Sequence, residues 1–127
     1  MNTEITPASI APPAASYAHA TLSQDARRWL HTSGVVPIRP DGSVPESIGD
    51  QAEVVWSNIA AILADADMAA DRIVSVVTYV IPGQDMSAVM AERDRFLGGH
   101  RAASTLVIVA ALVRPEWKVE VAVVAAD

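Results

Sequence analysis

The segment SIGDQAEVVWSNIAAILADA, residues 47–66, followed by IVSVVTYVI at residues 73–81, decides the fold. In the first, Ile48, Ala52, Val55, Ile59, Ile62 and Ala66 recur at spacings of four and three. That period lays one apolar stripe along an α-helix. Asp50, Glu53, Ser57 and Asp65 fall off the stripe and give a wet outer face. Ser47 with Asp50 three residues later approximates a capping box, Asp standing for the usual Glu or Gln, and the helix is expected to reach about Ala66. The second segment is dense in β-branched residues and apolar on both alternating faces, the pattern of a strand covered on both sides. A helix and a covered strand in succession call for a layered α+β domain.

Working outward, Pro82-Gly83 stops the strand, and Asp85 is placed to cap a second helix through Leu97. Gly98-Gly99 end that helix. STLVIVAAL (104–112) and KVEVAVVA (118–125) read as two final strands joined around Arg114-Pro115. On the N-terminal side, VPIRPDGSVPES (36–47) is a loop, with three prolines and an Asp-Gly pair. Tyr17–Leu22 reads as a first short strand, Gln24-Asp25 as its turn, and Arg28–Ser33 as its hairpin partner, ended by Gly34. Residues 1–16, with Pro12-Pro13, read as an irregular arm, leaving 17–127 as a single domain. The expected order is ββαβαββ, with both helices on one face of the sheet. The opposite face is also aliphatic, through Val76, Val80, Val119 and Val121 or their neighbours, and only another copy of the chain is at hand to cover it.

Composition narrows the function. The chain has 127 residues, 51% hydrophobic but only 5% aromatic, so its apolar content is mostly Ala and Val. So short and aliphatic a chain is expected to keep apolar surface after folding, a sign of an oligomer. Net charge is −6, and eight of the nine basic residues are scattered arginines, which argues against a nucleic-acid partner. Zero Cys removes disulfides, thiolate metal sites and cysteine nucleophiles. The apolar runs fall well short of the roughly 20 residues of a membrane span, and residues 1–15 carry no Lys or Arg of a signal peptide. A soluble, cytoplasmic protein with no membrane partner is the expectation. His19, His31 and His100 lie in three segments without metal-ligand spacing, and phosphate-loop, dinucleotide and Gly-x-Ser-x-Gly patterns are absent. No metal and no cofactor are expected.

Glu120 stands out. Alternation puts Lys118, Glu120, Ala122 and Val124 on one face of an aliphatic strand, where a carboxylate is costly unless paired, exposed or lining a pocket. A salt bridge to Lys118 or to a cross-strand Arg is the plain alternative. Tyr17 opens the first strand, where it either seals a sheet edge or walls a cleft. Ser104-Thr105 start a strand, where hydroxyls often serve turns and ladder ends. His100-Arg101, after Gly98-Gly99, form a cationic lead-in that suits either an anionic ligand or plain solvent.

Several short pieces in order carry a resemblance. They are Ser16-Tyr17-Ala18-His19-Ala20, Thr32-Ser33-Gly34 with Pro37, Pro40-Asp41-Gly42, and Gln51-Ala52 with Asn58-Ile59 and Leu63. Val77-Thr78-Tyr79-Val80, Ala103 to Val107, Leu112, Pro115 and Val119-Glu120-Val121 complete the set. From about Ala11 to Ala125 the chain resembles the reactive-intermediate deaminase (Rid, or YjgF) family. The resemblance implies a chorismate-mutase-like fold and a homotrimer with ligand clefts between subunits. It also implies hydrolysis of a small imine or enamine to a keto acid and ammonia, with Glu120 orienting or deprotonating the water. Tyr17 would wall the cleft, and Ser33 and Gly34 would bring backbone to the substrate. The arginine that grips a carboxylate in that family is missing. Counting back from Leu112, Ser104 takes its place, with Thr105 a second hydroxyl contact and Arg101 or Arg114 the nearby cations. An asparagine of the second helix appears as Met90. A hydroxyl makes no bidentate pair with a carboxylate, so 2-aminoacrylate is a doubtful substrate. Two readings follow: a C–N hydrolase for a differently gripped small molecule, or a non-catalytic metabolite-binding or chaperone-like trimer.

Overall fold

Ser47 caps the first helix, α1 (Ile48–Asp65), accepting a hydrogen bond at its Oγ from the Asp50 amide at 3.1 Å. This computed structural model describes residues 1–127. The other elements are β1 (Asn2–Ile5), β2 (Ala20–Ser23), β3 (Trp29–His31), β4 (Ile73–Val80), α2 (Met86–Leu97), β5 (Ala103–Ile108) and β6 (Val119–Ala126). Asp85 caps α2 through the Ser87 amide at 2.9 Å, and Gly98, in the left-handed region at φ 57°, closes it.

The main sheet has the order β3-β6-β4-β5. β4 and β5 run parallel, as a crossover through α2 requires, and the other pairs are antiparallel. Both helices lie on one face, which makes an α+β fold. Val55, Ile59 and Leu63 of α1 and Val89 and Leu97 of α2 pack with Val76, Val80, Val119, Val121 and Val123 of the sheet. Trp56 stacks on Phe96 at 4.9 Å and joins the two helices. The aliphatic stripe on α1 is therefore wider than the sequence suggests, since Trp56, Leu63 and Gln51 are buried with it.

Three expectations are corrected. The first 16 residues are not irregular throughout: Asn2–Ile5 form β1 and pair antiparallel with β2, Asn2 opposite Ser23 and Ile5 opposite Ala20. β2 and β3 consequently make no hairpin with each other. Asp25 takes a positive φ of 55°, and the amides of Arg27 and Arg28 bond to the Asp127 carbonyl at 2.7 and 3.0 Å. The chain is thereby carried across to β6, where Trp29 faces Ala126. Finally, Val76, Val80, Val119 and Val121 belong to the helix-covered face, each at most 1% exposed. Their neighbours Ser75, Val77, Tyr79, Glu120, Ala122 and Val124, all half-buried, line the open face instead.

Arg28 ties three parts together. Its Nε donates to Asp127 Oδ1 at 2.9 Å and its Nη1 to the Ala66 carbonyl at the C-terminal end of α1, also at 2.9 Å. The hydrogen bond from Arg28 holds the Asp127 carboxyl below the ordinary carboxylate range. A lowered folded pKa gives stability that is present above the unfolded value and is lost as pH falls through the folded one. Asp127→Asn is therefore expected to melt slightly below the parent at neutral pH, with the gap closing in acid. Thermal unfolding across a pH series checks this, and a gap that widens in acid contradicts it.

Candidate functional site

The corner between β3 and β6 is built by backbone first. The Thr32 amide bonds to the Val123 carbonyl at 3.1 Å, and Val35 and Val121 exchange bonds of 2.7 and 3.1 Å. The Thr32 hydroxyl accepts from the Val123 amide at 3.0 Å. These bonds press the backbone of Gly34 against β6, directly under the side chain of Glu120. A Cβ on Gly34 would stand 2.6 Å from the Glu120 carboxyl carbon, 3.0 Å from its Cγ, and overlap Oε2. Glycine is needed here for space and not for conformation, because its φ is not positive.

Glu120 is half-buried and belongs to none of the five ion pairs in the chain. Lys118, its expected partner, turns away to the Glu46 carbonyl. An ionised carboxylate without a counter-ion keeps its lone pairs for water or a ligand. On the α1 side of this corner lies an open pocket of about 470 Å³, walled by His31, Ser33, Gly34, Asn58 and Ile62 among others; Glu120, on the open face, is not one of its walls. That volume falls within the roughly 300–1,000 Å³ of small-molecule pockets. Asn58 fixes its rim, its Nδ2 donating to the carbonyls of Val36 and Ile38 at 3.3 and 3.0 Å. In the sequence Asn58 is one letter of a motif; its position on α1 opposite the Pro-rich loop is what reveals the role.

The remaining expected site residues lie elsewhere. Ala18 bridges Ala103 and donates its amide to the Ala102 carbonyl at 3.0 Å, which places Tyr17 at the β5 edge of the sheet. There the Tyr17 hydroxyl accepts from the Ala14 amide at 3.3 Å, and its ring meets His19 edge-on at 6.3 Å. Thr105 is registered with Val77, so it shares the open face with Glu120, two strands and about 10 Å across the sheet. Ser104 does not share that face. Adjacent strand residues point to opposite sides, and the Ser104 hydroxyl instead accepts from Nη1 of the buried Arg93 on α2 at 3.3 Å. Tyr79, one more residue of an aliphatic strand in the sequence, sits directly opposite Glu120 on β4. Alternation along IVSVVTYVI carries that signal.

No arginine reaches Glu120. Arg101 turns toward the N-terminal hairpin and pairs with Glu4, while Arg114 lies over the Trp117 ring at 5.2 Å. One copy of the chain thus presents two separate surfaces: Ser33-Gly34-Glu120 at the β3/β6 side, and Tyr17 with Thr105 at the β5 edge. The chain forms no cluster of His, Asp and Glu able to hold a metal ion. No helix is long and apolar enough to cross a membrane.

Comparison with known proteins gives the family of the fold. The family model described as endoribonuclease L-PSP matches residues 8–127. The mitochondrial protein MMF1 of Saccharomyces cerevisiae is 33% identical over 114 residues, covering 87% of this chain and 77% of that protein. A RutC family protein of Haemophilus influenzae is 36% identical over 97 residues, 76% of this chain and 69% of its own. Among solved structures, the Rid-family protein YyfB of Yersinia pestis superposes with a TM-score of 0.89 at 26% identity, covering 98% of each chain. The chain belongs to the endoribonuclease L-PSP family, the Rid/YjgF/RutC family whose motifs its own segments resemble.

Proposed function

We propose that this protein is a cytoplasmic homotrimer that hydrolyses the C–N bond of a small imine or enamine, with Glu120 as the group that activates water. Membership of the family supports a small-molecule function. The observation that carries the finer reading is the Glu120 carboxylate, held over Gly34 on the open face of the sheet and without a counter-ion. Water positioned by Glu120 attacks the imine carbon while Glu120 takes its proton. Glu120 returns that proton to the nitrogen, and the proton of the carbinolamine hydroxyl follows it there as the C–N bond breaks, so that ammonia leaves and a carbonyl compound remains. Tyr17 and Thr105 of one copy would face Ser33, Gly34 and Glu120 of the next, joining two surfaces that a single chain keeps apart. The half-buried aliphatic face around Val77, Ala122 and Val124 supplies the apolar area for that contact. RNA cleavage has no support in a chain of net charge −6 with scattered arginines.

The substrate class follows from charge. With Ser104 turned to Arg93 and Arg101 paired to Glu4, no cation of its own chain stands beside Glu120 to hold a carboxylate. The preferred substrate is therefore an imine without a carboxylate at the reacting carbon. Imines made in situ by an amino-acid oxidase and by an amine oxidase test this, read as ammonia release with and without the protein. Acceleration confined to the amine-derived imine is expected; faster hydrolysis of the imino acid overturns the assignment. The same missing cation also motivates the second reading, a cleft that binds metabolites without turning them over. Binding of amine-derived carbonyl compounds with no acceleration of either imine favours that one. Light scattering is expected to give three times the 13.4 kDa chain mass, and a monomer at micromolar concentration contradicts the shared cleft.

A further inference from the structure

A second cavity, of about 260 Å³, lies where the β1–β2 hairpin meets the turn between α2 and β5. Its walls are Asn2, Glu4, Thr21, Gly99, His100 and Arg101, with no apolar side chain among them. It shares no residue with the Glu120 corner, and it absorbs the His100-Arg101 segment that the proposed reaction leaves unused.

The open hydrogen-bonding positions in this cavity are specific. Arg101 donates Nε to Glu4 Oε2 at 3.3 Å and pairs Nη2 with Oε1, which leaves Nη1 without a partner. The His100 Nε2 lies 2.7 Å from the Ile73 carbonyl. A carbonyl only accepts, so Nε2 carries the proton and Nδ1 remains open. The Thr21 hydroxyl is buried and has no partner. Asn2 is held in place, donating to the Ala126 carbonyl and accepting from Ser23, both at 2.8 Å, and it serves as a fixed wall.

Arg101 and Glu4 thus set one positive and one negative charge side by side in a small polar space. An anion drawn to Arg101 meets the Glu4 carboxylate, and a cation drawn to Glu4 meets the guanidinium. A molecule carrying both charges on neighbouring atoms satisfies both at once. We propose that this cavity binds a small zwitterionic amino acid, its carboxylate on Arg101 Nη1 and its ammonium on Glu4. Half-exposed ion pairs contribute little to stability, so admitting the ligand between these two groups costs little. The cavity is smaller than the roughly 300–1,000 Å³ of drug-sized sites, which limits the ligand to a short side chain. Thr21 and His100 Nδ1 are the additional polar contacts.

The test is a titration of the ¹⁵N-labelled full chain with L-alanine, with propionate, which lacks its amino group, and with ethylamine, which lacks its carboxylate. L-alanine is expected to shift the amides of Gly99, His100 and Arg101 saturably, and the two half-molecules to bind at least about tenfold more weakly. Glu4→Gln and Arg101→Gln are each expected to weaken L-alanine by about tenfold or more, while Glu120→Gln leaves it unchanged. If Arg101→Gln fails to fold, Glu4→Gln carries the same expectation with the arginine intact. Equal responses to propionate and L-alanine, no saturable shift, or loss of the response in Glu120→Gln overturns the assignment.

Discussion

Gly34→Ala is expected to fold like the parent and to lose about a hundredfold or more in turnover, the scale of one positioned acid–base group. The loss would come from one methyl group. The backbone at Gly34 is fastened to β6 through Thr32 and Val35, so it cannot retreat. Glu120, half-buried and without an ion pair, is the part that can move. A Cβ at 2.6 Å from its carboxyl carbon displaces the side chain into another rotamer, away from the reacting water. Because the adjustment falls on the far end of one side chain, the melting temperature should change little. Ammonia release from a turned-over imine, measured alongside thermal unfolding, separates the two effects. Unchanged turnover in a folded Gly34→Ala protein contradicts the role given to the Glu120 position.

The largest stability effect is expected at Gln51, which is 1% exposed and fully bonded. Its Nε2 donates to the carbonyls of Pro45 and Glu116, both at 2.8 Å, and its Oε1 accepts from the Lys118 amide at 2.8 Å. One side chain thereby pins the Pro-rich loop and the entry to β6 onto α1. Gln51→Leu keeps the bulk but leaves three backbone groups unpaired, each worth about 1–3 kcal/mol when buried. Water reaches the partly buried pair, so a total near 3–4 kcal/mol is expected, a large share of a typical 5–15 kcal/mol. That corresponds to a fall of about 10 °C or more in Tm. Gln51→Glu should be worse still, since its carboxylate faces two carbonyl oxygens. Unfolding at one fixed protein concentration, so that assembly does not enter the comparison, checks both. A Gln51→Leu protein as stable as the parent removes Gln51 from the framework.

These effects depend on features that differ in how far the sequence discloses them. Both helices are legible because capping and period act locally: Ser47 and Asp85 cap α1 and α2 as their spacing implies. The strand at 73–80 is legible for the same reason, although the chain itself buries only one of the two faces expected to be covered. Pairing is not local. Nothing in four residues of β1 announces a partner at Ala20–Ser23, and the transfer of Trp29–His31 to β6 rests on bonds to Asp127 nearly a hundred residues on. Register also decides the site. Counting along the sequence assigns both Ser104 and Thr105 to one cleft, but a strand can turn only one of two neighbours to a face, and Arg93 on α2 takes Ser104. Glu120 was recoverable from its cost in an aliphatic strand. The match between its side chain and the missing Cβ of Gly34 was not, because it joins positions that only folding brings together.

The central claim is that Glu120 activates water on a small C–N substrate, and its most direct test is the Glu120→Gln protein. Glutamine preserves size and shape but accepts no proton. With an amine-derived imine generated in situ, ammonia release by Glu120→Gln is expected to fall about 10²–10⁴-fold below the parent while the assembled mass and melting temperature stay the same. Equal rates for parent and Glu120→Gln, both above the uncatalysed reaction, would contradict the account.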